Sequence, residues 1–222
     1  MTGSAANPDR AALAKLGNIV RERLSGDPSL YRMPADAAEL YAVADFLSED
    51  ECTRVIALID EVARPSEVFE EVYQHLYRTS YSGDVPRGDS CVRMIERRIC
   101  DLVGIDPAWG ESVQGQRYWP GQEFKQHCDW FDTGSQYWKR EVARGGQRSW
   151  TAMVFLNDVE QGGETEFPKL GINITPQRGA LLLWNNALPD GEPNGATLHA
   201  ALPVKAGVKY VITKWFRTRT WK

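Results

Sequence analysis

The chain has 222 residues, about one and a half times a usual ~150-residue domain, so it holds one large domain or one domain with an extension. At 42% hydrophobic and 25% charged residues, the composition is that of a packed globular chain and excludes disorder, collagen and coiled coil. Thirty acids against twenty-six bases give a net charge of -4, which excludes a wholly basic nucleic-acid binder. No apolar run approaches the ~18 residues of a conventional membrane span. The opening residues are polar and lack the basic-then-apolar pattern of a secretory signal. Cys52, Cys91, Cys100 and Cys128 make no CxxC or zinc-finger spacing and read as reduced thiols. The expectation is a cytoplasmic chain whose partners include neither nucleic acid nor membrane.

Residues 1–40 read as an N-terminal helical extension. Pro8 precedes Leu13, Leu16, Val20 and Leu24 at helical spacing, and the pattern stops near Gly26-Asp27-Pro28. Forty residues are too few for an independent core, so this helix is expected to pack on the main body, with a homodimer contact as the rival use. Ser48 with Glu51 forms a capping box ahead of Val55, Ile56, Ile59 and Val62, which predicts a second helix. A third is expected from Ser90 through Leu102. Between them, residues 78–88 are polar and turn-rich, and read as a connection or as a flap beside a site.

From about residue 111 the helical spacing gives way to short apolar or alternating runs bounded by Gly, Pro, Asn and Asp. Residues 151–156, 180–184 and 208–216 are the clearest predicted strands. Helices first and many short strands afterwards predict a barrel or sandwich with helices packed outside it. There is no GxGxxG, Walker loop, GxSxG elbow or HExxH.

Three histidines exist: His75, His127 and His199. In an extended segment His127 and Asp129 face the same way while Cys128 faces the other. One further histidine would complete the two-histidine, one-carboxylate triad of non-haem iron(II) sites, although zinc accepts the same ligands. His199 lies in the strand-rich half and is the natural third ligand; His75, in the helical half, is the spare. Along 208–216, Lys209, Val211, Thr213 and Trp215 share one face. An inward lysine requires an anionic partner, either an internal carboxylate or the distal carboxylate of a bound dicarboxylic acid.

Four segments in order, residues 117–129, 163–168, 178–180 and 199–215, resemble the iron(II)- and 2-oxoglutarate-dependent dioxygenases of the prolyl 4-hydroxylase type. The likeness covers roughly residues 41–218. It implies an all-β core with flanking helices, a double-stranded β-helix (jelly roll) with helices packed on the major sheet, over residues 41–222. His127, Asp129 and His199 match the family's iron ligands. Lys209 matches the residue that pairs with the C5 carboxylate of 2-oxoglutarate, and Tyr118 a tyrosine that hydrogen-bonds the same group. Arg148 and Trp215 lie where members contact substrate, and Thr151 also matches. Phe124 departs from the pattern, standing where many members have tyrosine. Residues 138–146 read as a charged loop of variable length, and residues 162–168 as a tight turn into a strand.

The resemblance implies hydroxylation of an unactivated C–H bond, with release of succinate and CO2. The cosubstrates would be 2-oxoglutarate and O2, with Fe(II) in the site and ascorbate as reductant. A prolyl residue in a peptide or protein is the expected target. The alternatives are a free amino acid or other small molecule as substrate, a zinc or manganese enzyme of cupin type, or a non-catalytic metal- or peptide-binding module on the same barrel.

Overall fold

The computed structural model describes residues 7–66 and 77–222. The strands are β1 (Tyr31–Arg32), β2 (Leu40–Val43), β3 (Arg64–Pro65), β4 (Tyr81–Asp84), β5 (Gln114–Tyr118), β6 (Phe124–His127) and β7 (Arg148–Phe155). They continue as β8 (Gln161–Gly162), β9 (Thr165–Phe167), β10 (Ile172–Ile174), β11 (Leu181–Asn185), β12 (His199–Ala201), β13 (Val204–Ala206) and β14 (Lys209–Arg217). The helices are α1 (Arg10–Leu24), α2 (Glu49–Val62), α3 (Ser90–Val103) and α4 (Trp138–Arg144).

Eight strands form the major sheet in the order β1-β2-β11-β7-β14-β5-β4-β3, and four form the minor sheet in the order β10-β9-β12-β6. Every described pairing is antiparallel. β13 and β8 make a separate two-stranded ribbon. This is the jelly roll with helices on its major sheet.

Strand alternation divides the interior into two cores. Trp150, Ala152 and Val154 of β7, with Ile212 and Phe216 of β14, face the helices. They meet Leu16, Val20 and Leu24 of α1, Val55 and Ile59 of α2, and Ile95 and Ile99 of α3. Met153 and Phe155 of β7, with Leu182 and Trp184 of β11 and Val211 of β14, face the minor sheet. Because both faces are covered, seven of the eight β7 residues are buried, which explains its almost continuous apolar sequence.

The three predicted helices form where expected. Ser48 and Glu51 complete both halves of the capping box on α2, and Asp89 caps α3 through the N–H groups of Cys91 and Val92. The apolar stripe of α1 is spent on its own chain: Leu13, Leu16, Val20 and Leu24 are buried, each side chain contributing a gross ~1.5–3 kcal/mol. Ile19, on the far side, stays exposed. The first forty residues also supply β1 and the start of β2, which enter the major sheet.

Two expectations differ from the structure. Residues 81–84 are not a flap: β4 pairs with both β3 and β5 inside the major sheet. Gly83 packs so closely on Val62 that a Cβ would lie 2.7 Å from its carbonyl oxygen, and this close approach explains the glycine at that position. Residues 138–144 are helical rather than a loop, and α4 buries Trp138 and Glu141 one turn apart. Its inner face carries a carboxylate paired with buried Arg217, a pattern that hydrophobic periodicity does not register. His75 lies outside the described residues. No helix among those described is long and apolar enough to cross a membrane.

Candidate metal centre

Antiparallel pairing places the third histidine. β12 lies against β6 with His199 directly opposite His127, and Asp129 follows just beyond the end of β6. His127 Nε2 and His199 Nε2 each lie 3.9 Å from Asp129 Oδ1. The three donor atoms fall within 4.8 Å of one another, a set that can hold a metal ion.

Both imidazoles are held in the tautomer a metal requires. A carbonyl only accepts, so His127 Nδ1 donates to the Lys125 carbonyl at 2.8 Å and His199 Nδ1 to that of Thr197 at 2.9 Å. Each Nε2 lone pair is thereby left for the cavity. Phe124 stacks on His127 at 3.6 Å between centroids, and Trp184 meets His199 edge-on at 5.0 Å. Burial, followed by the neighbouring His199 charge, pushes the His127 imidazole down to about 3, so it stays neutral and able to ligate. Burial alone would raise the Asp129 carboxyl. The two neighbouring imidazoles, the Arg148 guanidinium and the Thr151 hydrogen bond outweigh it and hold the group below the ordinary carboxylate range.

Lys209 opens the inner face of β14, and Val211, Thr213 and Trp215 follow it into the same pocket. Its side chain is buried, with the residue 1% exposed, and its ammonium donates to Thr165 Oγ1 at 3.3 Å. Among the described residues no carboxylate forms a salt bridge with it; burial pushes its pKa down to about 7, against the weaker opposing pull of the Glu164 charge. An ammonium offers three donors. One is spent on Thr165, and no internal carboxylate among the described residues forms a salt bridge with the group. Two imidazoles and a carboxylate near a buried lysine that has no ion-pair partner among the described residues fit an iron(II) ion with a chelating dicarboxylate.

The remaining expected residues fall as follows. Tyr118 is buried in the pocket, its hydroxyl donates to Gln116 Oε1 at 2.7 Å, and its ring lies 5.5 Å from Lys209 Nζ. Trp215 lines the pocket, and the Arg148 guanidinium lies 3.9 Å from its ring centroid. Arg148 is held by Glu111 through two hydrogen bonds of 2.6 and 2.8 Å. It does not line the pocket itself; it backs Trp215, and its charge acts on Asp129. Thr151 donates to Asp129 Oδ2 at 2.7 Å, a contact that its β-branched strand character did not announce.

Sequence reasoning missed Arg78, Gln116, Thr165 and Trp184, which also line the pocket. Gln116 was recoverable, since it stands two residues from Tyr118 on one strand and shares its face. Arg78 was hidden in the polar connection. It donates to Ser80 at 3.1 Å and Gln114 at 3.0 Å, and lies over the Phe124 ring at 4.7 Å.

A jelly roll with an HxD…H donor set opposite a buried lysine defines the class of 2-oxoglutarate and iron(II) oxygenases, and the family model described as 2OG-Fe(II) oxygenase superfamily matches residues 113–217. Prolyl 4-hydroxylase 5 of Arabidopsis thaliana is 33% identical over 207 residues, covering 80% of this chain and 68% of that protein. Probable prolyl 4-hydroxylase 8 of the same plant is 34% identical over 197 residues, covering 78% of this chain and 66% of its own length. The chain thus spans about two thirds of these curated relatives. A viral collagen prolyl hydroxylase from Paramecium Bursaria Chlorella virus-1, solved as its 2OG complex, superposes with a TM-score of 0.63 at 28% identity. That superposition covers 80% of this chain and 95% of the viral one. The chain belongs to the prolyl 4-hydroxylase family of 2OG-Fe(II) oxygenases, and membership together with the donor set implies Fe(II) and 2-oxoglutarate.

Proposed function

We propose that this chain hydroxylates a prolyl residue in a peptide or protein, consuming 2-oxoglutarate and O2 and releasing succinate and CO2. The observation that carries the reading is one pocket lined by His127, Asp129 and His199 together with the buried Lys209, which has no salt-bridge partner among the described residues. The prolyl target is supported by the prolyl 4-hydroxylase relatives.

His127 Nε2, Asp129 Oδ1 and His199 Nε2 would hold iron(II) on one face. When bound, iron and 2-oxoglutarate supply the oxidising chemistry, and the protein supplies binding, orientation and exclusion of water. Lys209, with Thr165 and Tyr118 beside it, would orient the far carboxylate of 2-oxoglutarate. Phe124, Phe167 and Trp184 wall the histidines with aromatic surface and limit water access. Trp215, backed by Arg148 and Glu111, offers a rigid aromatic face at the substrate side. Ascorbate is assigned as the reductant that keeps the iron ferrous, on the strength of family membership.

The test is succinate release by the iron-loaded enzyme across proline-containing peptides and free amino acids, with mass analysis for one added oxygen atom. Peptide-stimulated succinate and an oxidised prolyl residue are expected, with turnover falling when ascorbate is omitted. Stimulation by a free amino acid alone would replace the peptide substrate. Peptide binding without succinate would make the chain a binding module.

A further inference from the structure

Asp129 has two oxygens, and the structure treats them differently. Oδ1 stands 3.9 Å from each histidine Nε2, while Oδ2 accepts the Thr151 hydroxyl proton at 2.7 Å. Thr151 Oγ1 in turn accepts from Asn186 Nδ2 at 2.9 Å. Thr151 is wholly buried and Asn186 is 1% exposed, so water does not compete for these bonds. The direction of the chain follows from proton counting. An ionised carboxylate only accepts and a hydroxyl has one proton. Thr151 spends that proton on Asp129, and its oxygen must then face an N–H, which sets the orientation of the Asn186 amide.

Both members of the chain are anchored by backbone. Thr151 sits in the middle of β7, between Trp184 of β11 and Trp215 of β14 in register. Asn186 follows β11, its N–H donating to the Ser149 carbonyl at 2.8 Å and its carbonyl accepting from Asn194 at 2.9 Å. The hydrogen-bond chain therefore ties the carboxylate, which lies on a short segment after β6, to the most buried part of the major sheet.

We propose that Asn186 and Thr151 are positioning residues for the metal. Thr151, oriented by Asn186, occupies Oδ2, so that Asp129 presents Oδ1 alone as a one-point ligand, and the pair fix the carboxylate plane before metal arrives. The inference rests on the metal reading of His127, Asp129 and His199, and it assigns no contact between Thr151 or Asn186 and the ion itself. Partners that hydrogen-bond a ligating group typically change metal affinity by about 10–100-fold when removed.

The experiment is a titration of the full chain with Mn(II), a redox-inert probe, following free Mn(II) by electron paramagnetic resonance. Four proteins are compared: wild type, Thr151→Val, Thr151→Ser and Asn186→Ala, with thermal unfolding recorded for each. Thr151→Val keeps the shape and removes the donor, and its Mn(II) affinity is expected to fall about 10–100-fold. Thr151→Ser keeps the hydroxyl and is expected to restore most of that affinity. Asn186→Ala is expected to lose affinity in the same direction but less, because Thr151 keeps its proton and loses only the group that orients it. Wild type that binds no Mn(II) would overturn the metal reading itself. Wild type that binds while Thr151→Val binds equally well would overturn the positioning role and leave the metal reading standing. A Thr151→Ser protein as weak as Thr151→Val would assign the effect to the methyl group and overturn the role of the hydroxyl. If Thr151→Val does not fold, unchanged Mn(II) affinity in Asn186→Ala overturns the chain.

Discussion

Replacing Lys209 by methionine is expected to stabilise the ligand-free protein while abolishing its hold on 2-oxoglutarate. The lysine ammonium is buried with one hydroxyl partner, and burial lowers its pKa from an ordinary 10.5 to about 7. At about 1.4 kcal/mol per pH unit, carrying that charge costs the folded chain on the order of 3–5 kcal/mol below pH 7. The sign follows from proton binding. Between pH 7 and 10.5 the unfolded chain holds the proton and the folded chain has released it, so wild-type stability rises with pH across that window. Methionine fills a similar volume without a charge. Its advantage over wild type is therefore expected to be largest below pH 7, to shrink as pH rises, and to vanish near pH 10.5. Urea unfolding of both ligand-free proteins across pH 6 to 10 measures this difference. With Mn(II) present, adding 2-oxoglutarate should then stabilise wild type and leave Lys209→Met unmoved. A Lys209→Met protein no more stable than wild type at pH 6, or an advantage that does not change with pH, would refute the unpaired-ammonium reasoning.

Three further outcomes are expected. His199→Ala removes one of three donors and should abolish Mn(II) binding and succinate release together; turnover that persists would show that the ligand set is wrong. Glu111→Ala leaves the Arg148 and Arg217 guanidinium groups without the carboxylate that lies 2.6 and 3.0 Å from them. It should lose about 3–5 kcal/mol in urea unfolding, and a loss within error of zero would mean that other groups compensate these cations. Ser48→Ala removes the capping box of α2 and should cost about 1 kcal/mol in the same assay, with metal affinity unchanged.

Much of this site was legible because its elements obey short periods. Period-two geometry put Lys209, Val211, Thr213 and Trp215 on one strand face, and all four line the pocket; His127 and Asp129 do converge, although Asp129 lies in a bend beyond β6. Ser48 and Glu51 announced α2 through a local exchange of hydrogen bonds. Other features had no local signal. α4 was hidden because its buried face carries Glu141, whose partner Arg217 is remote in sequence. β4 was hidden because Ser82, Gly83 and Asp84 are poor strand formers, held there by pairing with β5.

The inventory was thus readable along the chain: a helical lead-in, a strand-rich half, an HxD pair, a distant histidine and one inward lysine. Tertiary structure decided which of these meet. Register between β6 and β12 set His199 opposite His127, a placement no spacing rule contains. The shared inner face of the barrel left Lys209 without a salt bridge among the described residues and set Thr151 against Asp129, while packing outside the pocket turned Arg148 toward Glu111. The physical reason is the range of the forces. Helix caps and strand alternation act over a few residues of chain, whereas charge pairing and ligand geometry depend on distance in space, which only the packed sheets supply.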